Sequence, residues 1–429
     1  MDYQEAIDFL FPLHRFGIKP GLERIDALLD SLGHPERRIG TIVHVAGTNG
    51  KGTVASCMAS IFQASGRKTG LFTSPHLIDF TERIRMDGRP ISQEKVAEYC
   101  TRMKPVVIEQ GATFFEVTTA MAFAFFADEG VEASVIETGM GGRLDATNIV
   151  MADIVIIPGV GIDHTAWLGE SLREIAAEKA AIIKPGSEVF TAVPEGDALD
   201  EILQSAGRCG TVVHQSVKEA SCRICDLQPG LLSLEITLPG DASRCFQVPL
   251  TGSFHATNVT LAVMAARSAG IGWHEIEAGL THLRSVGYRG RLERISDRPV
   301  VMLDVSHNPD GMEKTVQALE EIRNSFRSLL VLVGVAADKD AAGIIRHLER
   351  IADMAVAVDL PSERSLAPES LAVLFGGSCE VHVRHTAGEG LDLLMSRAAA
   401  DDMILVTGSF FLAGEVASME RFRNSFIEP

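Results

Sequence analysis

The run from Thr41 to Ala46, TIVHVA, is apolar on both faces, and it empties into GTNGKGT before a helical pattern that continues to about Ser65. Strand, glycine loop and helix in that order restrict the chain to a small group of α/β folds. Further buried strands are expected at Lys68–Phe72, Glu132–Glu137, Asp153–Pro158 and Glu188–Val193, with helical stretches between them. Such alternation implies a mainly parallel sheet with helices on both faces. From about Thr211 to Leu250 the pattern shortens into alternating segments with Pro-Gly pairs, which suits a small antiparallel insertion. Beyond SVGYRGR (Ser285–Arg291) the rhythm restarts with VVMLD, SLLVLVG, MAVAVD, CEVHV and MILVTGS, each followed or preceded by a helical stretch. The expected architecture is therefore two doubly wound α/β domains, residues 1–286 and 287–429.

Charge narrows the set of partners. The 429 residues include 57 acidic against 39 basic side chains, a net charge of −18, so the long-range field repels nucleic acid and anionic membrane surfaces. An anionic ligand must be held locally, by backbone amides, a few Lys or Arg, and metal ions. The N-terminus lacks a basic segment ahead of a long apolar run, and no charge-free apolar stretch approaches the roughly 18 residues of a membrane span. A cytoplasmic protein is expected. Seven cysteines, an odd number scattered along the chain, do not suggest a disulfide framework. Cys222 and Cys225 have zinc-like spacing, but in a strand residues three apart face opposite sides and cannot share an ion.

The loop Gly47-Thr48-Asn49-Gly50-Lys51-Gly52-Thr53 has the makings of a phosphate cradle. Loop amides and the positive helix end suit phosphate oxygens, the Lys51 ammonium suits the outer phosphates, and the Thr53 hydroxyl suits Mg²⁺. Val45 and Gly52 stand where the common P-loop has a glycine and a hydroxyl. An ordinary glycine-rich turn is the alternative.

Other segments follow in order: Ser74-Pro75-His76-Leu77, Glu82-Arg83-Ile84, Thr113-Phe114-Phe115-Glu116, ETGMGGRLDATN (Glu137–Asn148), IDHTAWLG (Ile162–Gly169) and EKAAIIKPG (Glu178–Gly186). After them come HATNVTLAV with Asn258, Arg289-Gly290-Arg291, LDVSHNP (Leu303–Pro309) and TGSFFLAGE. This series resembles the folylpolyglutamate synthase/dihydrofolate synthase branch of the Mur ligase superfamily, and the resemblance spans almost the whole chain. It implies an N-terminal P-loop-type ATPase domain, a C-terminal Rossmann-like domain and a monomer. The implied reaction is ATP-dependent: a carboxylate attacks the γ-phosphate, and L-glutamate captures the acyl phosphate. The acceptor would be dihydropteroate, a folate that already carries glutamate, or both.

The same resemblance assigns roles residue by residue. ATP would be bound by Thr48, Asn49, Gly50, Lys51, Gly52 and Thr53, and across the domain junction by Asn258, Arg291, Asp304 and His307. Two Mg²⁺ ions would be held by Thr53, Ser74, Glu137, His164 and Lys179, the last converted by CO₂ to an anionic carbamate. That conversion needs a neutral amine, so Lys179 is expected to be desolvated with a lowered pKa. Lys51, His164 and Lys179 would be the catalytic residues. Thr113, Phe114, Phe115, Glu116, Leu144, Asp145 and Ala146 would hold the pterin-bearing substrate, with a further contact near Gly17-Ile18-Lys19.

Each assignment has an ordinary alternative. Glu137 could be a strand-end charge, and Lys179 could pair with Glu174 or Glu178. Phe114 and Phe115 could belong to the core. Asp304 could cap a helix or a turn, and His307 could make a loop hydrogen bond. Ser306, and Tyr288 with Arg289, depart from the family pattern. Two rival functions remain at this stage: a peptidoglycan-type Mur ligase, and a nucleotide-gated module that does not ligate.

Overall fold

The computed structural model describes residues 1–16, 21–362, 364–377 and 379–423; Gly17-Ile18-Lys19 lies outside them. The chain forms two compact units. The first comprises residues 1–223, 235–246 and 257–288. The second comprises 224–234, 247–256 and the chain from Arg289 onward.

In the first unit eight strands form one sheet: β1 (Thr41–Val45), β2 (Thr69–Phe72), β3 (Ile84–Met86), β4 (Arg89–Pro90), β5 (Ala133–Glu137), β6 (Ile154–Ile157), β7 (Glu188–Thr191) and β8 (Val213–Gln215). Their order is β4-β3-β2-β5-β1-β6-β7-β8. From β2 to β8 along that order every pairing is parallel, and only the pairings of β3, with β2 and with β4, are antiparallel. The central strands β2, β5 and β6 are buried at every position, as continuous apolar runs under helices on both faces should be. Helix starts are written in the sequence. Asp2 with Glu5, Thr113 with Glu116, and Ser171 with Glu174 form capping boxes in which each side chain satisfies an amide at the other residue.

Three strands, β9 (Ser221–Gln228), β10 (Leu231–Thr237) and β11 (Arg244–Val248), form a small sheet in the order β11-β10-β9. A two-residue link, Pro229-Gly230, joins β9 to β10, which only a hairpin allows. The sheet begins ten residues later than the sequence suggested, because Val213–Gln215 is the parallel edge strand β8 of the large sheet. Three residues with one aliphatic side chain are too short to reveal their period. Cys222 and Cys225 both lie on β9.

The second unit carries β12 (Glu293–Asp297), β13 (Val300–Leu303), β14 (Leu329–Val333), β15 (Met354–Ala357), β16 (Glu380–Val383) and β17 (Met403–Thr407), in the order β12-β13-β17-β14-β15-β16. All pairings are parallel except β12 with β13. The polar strand β12, ERISD, was not evident in the sequence. It is an edge strand, half-exposed, and lacks the continuous apolar signal of the other strands.

Candidate active site

The glycine loop joins β1 to the helix Lys51–Ala64. Gly50 has φ +87°, and a Cβ there would collide with the Asn258 carboxamide, so both backbone and space demand glycine. Thr48 fixes the loop to the turn after β6: its amide donates to the Gly159 carbonyl at 2.9 Å, and its hydroxyl donates to the Gly161 carbonyl at 3.1 Å and accepts from the Gly161 amide at 3.0 Å. Asn49 is exposed at the tip. The Lys51 ammonium folds over the loop and donates to the carbonyls of Gly47 (2.9 Å) and Thr48 (3.3 Å). Thr53 is buried, with its hydroxyl 3.0 Å from that of Tyr288. Tyr288, one of the departures noted above, thus supports the loop.

Glu137 ends β5 directly opposite Val45, the last residue of β1. It is 5% exposed, accepts the Ser74 amide at 3.1 Å, and has its carboxylate 3.8 Å from where a Gly52 Cβ would lie. A buried carboxylate beside the loop, with serine and threonine hydroxyls on adjacent segments, is a hard-oxygen set that suits Mg²⁺. His164 sits at φ +49° before the short helix Thr165–Leu168, its half-exposed side chain 3.7 Å from Asp163. Among the described residues, no group of three or more His, Cys, Asp or Glu side chains is gathered at metal-binding distance.

Lys179, in the last turn of the helix Leu172–Ala180, is 3% exposed. The acids suggested as ion-pair partners are engaged elsewhere: Glu174 caps with Ser171, and Glu178 pairs with Arg143 at 2.7 Å. Burial, and secondarily the positive charge of Lys51, lower the Lys179 pKa to about 8, opposed by Asp163 and Asp145.

A cavity of about 450 Å³ opens beside these groups in the first unit. Thr113, Phe114, Phe115, Glu116, Leu144, Asp145 and Ala146 all line it. Phe114 and Phe115 open the buried helix Phe114–Glu129, so they are core and cavity wall at once. Glu116 is spoken for structurally: it accepts from the Thr113 amide (2.7 Å) and hydroxyl (2.8 Å) and from Arg24 Nε (2.9 Å). The Asp145 carboxylate accepts from Met140 N (2.9 Å), Thr147 N (3.0 Å) and Thr147 Oγ1 (2.5 Å). Burial still raises its pKa against those hydrogen bonds. The sequence reading missed Arg83, Gly139 to Gly142 and Trp167 as lining residues. Arg83 is 7% exposed, donates to His76 Nδ1 at 2.8 Å and lies 5.1 Å over the Phe114 ring. Burial lowers its pKa to about 10, opposed by Glu137 and Glu82. Arg83 and Trp167 each fell inside a segment already singled out, but nothing in a segment says which side chain faces a cavity.

Asn258 belongs to the first unit, against Gly50; the other three expected nucleotide contacts belong to the second. Arg291 lies 5.6 Å over the Phe410 ring, and the His307 ring centre is 5.6 Å from that of Phe410. His307 Nδ1 donates to the Val305 carbonyl at 3.0 Å, the ordinary loop hydrogen bond considered above. Asp304 follows β13, is 3% exposed, and accepts from Leu292 N, Ser306 N and Thr315 Oγ1 at 3.1, 3.0 and 2.8 Å. It braces the turn, while Asn308 caps the following helix.

Residues 45–266 match the model of the Mur ligase middle domain, and residues 290–410 match that of the Mur ligase glutamate ligase domain. A dihydrofolate synthase/folylpolyglutamate synthase of Bacillus subtilis is 33% identical over 430 residues, covering 96% of this chain and 98% of that protein. This chain belongs to the Mur ligase family, in its folylpolyglutamate synthase/dihydrofolate synthase branch. Another branch member of known structure, Escherichia coli FolC in complex with DHPP and ADP, superposes with a TM-score of 0.87 at 28% identity, covering 99% of both chains. The Yersinia pestis bifunctional folylpolyglutamate synthase/dihydrofolate synthase with Mn, AMPPNP and L-glutamate bound gives 0.81 at 26% identity, covering 97% of this chain and 98% of that one. The chain spans about half the length of two haloarchaeal relatives, probable bifunctional folylpolyglutamate synthase/dihydropteroate synthases. Among the described residues no helix is long and apolar enough to cross a membrane.

Proposed function

We propose that this chain is an ATP-dependent acid–amino-acid ligase that adds L-glutamate to dihydropteroate, to the glutamate tail of a (tetrahydro)folate, or to both, releasing ADP and phosphate. The observation that carries the reading is the cavity: all seven residues expected to hold a pterin-bearing acid line one space, in the unit that also holds the Lys51 loop. Phe114 and Phe115 give the cavity aromatic walling suited to a flat ring, and Asp145 supplies a carboxylate for ring N–H donors.

In the chemical step a carboxylate oxygen of the acceptor attacks the γ-phosphorus, an O–P bond forms, and the bond to the bridging oxygen breaks to release ADP. The glutamate amine then attacks the acyl carbon; a C–N bond forms, phosphate departs, and the amine loses a proton. Both steps bring anions together, so the role of Lys51 is to leave the loop carbonyls and place its ammonium against the transferring phosphoryl group. Gly50 and Gly52 keep the loop bare for close approach of the phosphates, and Thr48 holds its shape. Mg²⁺ held by Thr53, Ser74 and Glu137, with a second ion at His164 and carbamylated Lys179, would supply charge neutralisation. Carbamylation joins the Lys179 nitrogen to CO₂ and releases one proton, which the lowered pKa favours. Asn258, Asn49, Arg291, Asp304 and His307 are proposed to complete the ATP contacts, and the protein is proposed to act as a cytoplasmic monomer.

The test is an assay with ATP, Mg²⁺ and labelled glutamate, offering dihydropteroate and tetrahydrofolate separately and resolving products by mass. A product one glutamyl residue heavier than either acceptor is expected; no incorporation into either would overturn the reading.

A further inference from the structure

Leu144 and Trp167 are 48% and 51% exposed, and both line the cavity. Single exposed apolar side chains are commonplace, whereas an indole and an isobutyl group at the mouth of one cavity make an apolar rim. The backbone secures that rim. Gly141 has φ +68°, and a Cβ on it would strike Leu168 Cδ2, so the bare loop lets Leu168, 6% exposed, pack against it. Leu168 thereby anchors the four-residue helix Thr165–Leu168 that presents Trp167. Other parts of the lining are closed in: Phe114, Glu116 and Ala146 are 3–5% exposed. The cavity thus has a buried aromatic end and an exposed apolar end.

We propose that Trp167 is a specificity-determining residue whose indole stacks on the aminobenzoyl ring of the acceptor, while the bicyclic ring occupies the buried end at Phe114 and Phe115. This rests on the ligase reading above. In dihydropteroate the reactive carboxylate is attached to the aminobenzoyl ring, in a folate it lies one glutamyl residue beyond that ring, and the Trp167 amide donates at 2.8 Å to the carbonyl of His164, a residue assigned to the metal. Ser74, whose amide holds Glu137, lines the same cavity. The ring nearer that polar group is then the one that leads to the carboxylate, directly in dihydropteroate and through the glutamyl tail in a folate. An amino acid or peptide acceptor without an aryl ring gains nothing from the indole, so the rim selects for aryl acids.

The chain has two tryptophans, Trp167 and Trp273. Trp273 lies under the guanidinium groups of Arg267 and Arg244, at 4.7 and 5.7 Å, and serves as an internal control. Pteroate is titrated into the wild type, W167F and W273F with emission followed, and into the wild type and W167A by calorimetry. Quenching is expected in the wild type and W273F and absent from W167F. An aromatic contact of this kind predicts roughly tenfold weaker pteroate binding in W167A. The W167A melting midpoint should be unchanged, since the indole is half exposed. Heat of binding in the wild type without quenching in W273F, together with unchanged affinity in W167A, overturns the role of Trp167 and leaves the ligase reading standing. Neither heat nor quenching in the wild type overturns both.

Discussion

At the scale of single residues, several groups have surroundings that alter their chemistry. Lys51→Ala is expected to lower glutamate-dependent turnover by about a hundredfold or more, as for loss of a preorganised charge at a transferring group, with the melting curve little changed. Lys179→Ala should lose activity and regain part of it with added short carboxylates; unchanged activity would remove Lys179 from the site. His44 provides a pH test independent of the reaction. It is fully buried in β1 with Nε2 2.8 Å from Thr147 Oγ1, and burial, then the Lys184 charge, depress its pKa to about 3. The folded value lies below the ordinary 6.5, so between those limits only the unfolded chain takes up the proton. Its contribution is intact above about pH 6.5 and is lost as pH falls toward 3, at up to about 1.4 kcal/mol per pH unit. His44→Gln should flatten the fall in denaturant-measured stability between pH 6 and 5 by one proton; an unchanged slope would contradict the assignment. The sequence displayed Lys51 and Lys179 through their segments. It did not display Tyr288 beneath Thr53 or Arg83 over Phe114, because both depend on residues brought together from distant parts of the chain.

At the scale of elements, loop shape is the tightest constraint. Gly50→Ala puts a side chain at φ +87° and into Asn258, a backbone cost of about 1–2 kcal/mol before the collision is counted. ATP binding, followed by calorimetry, should be lost. Gly66→Ala, at φ +81° with open space around it, should cost similar backbone energy and leave ATP affinity unaltered. Ser92 caps the helix Gln93–Gln110 through the Lys95 amide. Ser92→Ala should cost about 1 kcal/mol in chemical denaturation without changing any Michaelis constant. Elements with a strong period were legible before the structure: the buried strands β1, β2, β5, β6 and β7 declare themselves through apolar runs, whereas the short strands β3 and β4 did not. Short polar edge strands such as β8 and β12 were not, since their existence depends on the neighbour they pair with.

At the scale of the whole molecule, the proposed reaction requires a chain with net charge −18 to handle triphosphate and carboxylate, both anions, against its own long-range field. The fold answers locally, at strand ends: Glu137 at the end of β5, the glycine loop after β1 and Ser74 after β2 converge at the carboxyl edge of one parallel sheet. Open α/β sheets place ligands at that edge, and that much follows from strand order alone. On the proposed reading, which acid enters the cavity is decided by side chains such as Phe114, Asp145 and Trp167, so the acceptor was less legible than the nucleotide loop. The most direct test is the rate of ADP release by the purified chain with Mg²⁺ and ATP as co-substrates are added one at a time. The account predicts release only when L-glutamate and a pteroate or folate acceptor are both present, with one glutamyl amide formed per ADP; steady release from ATP alone, indifferent to both, would contradict it.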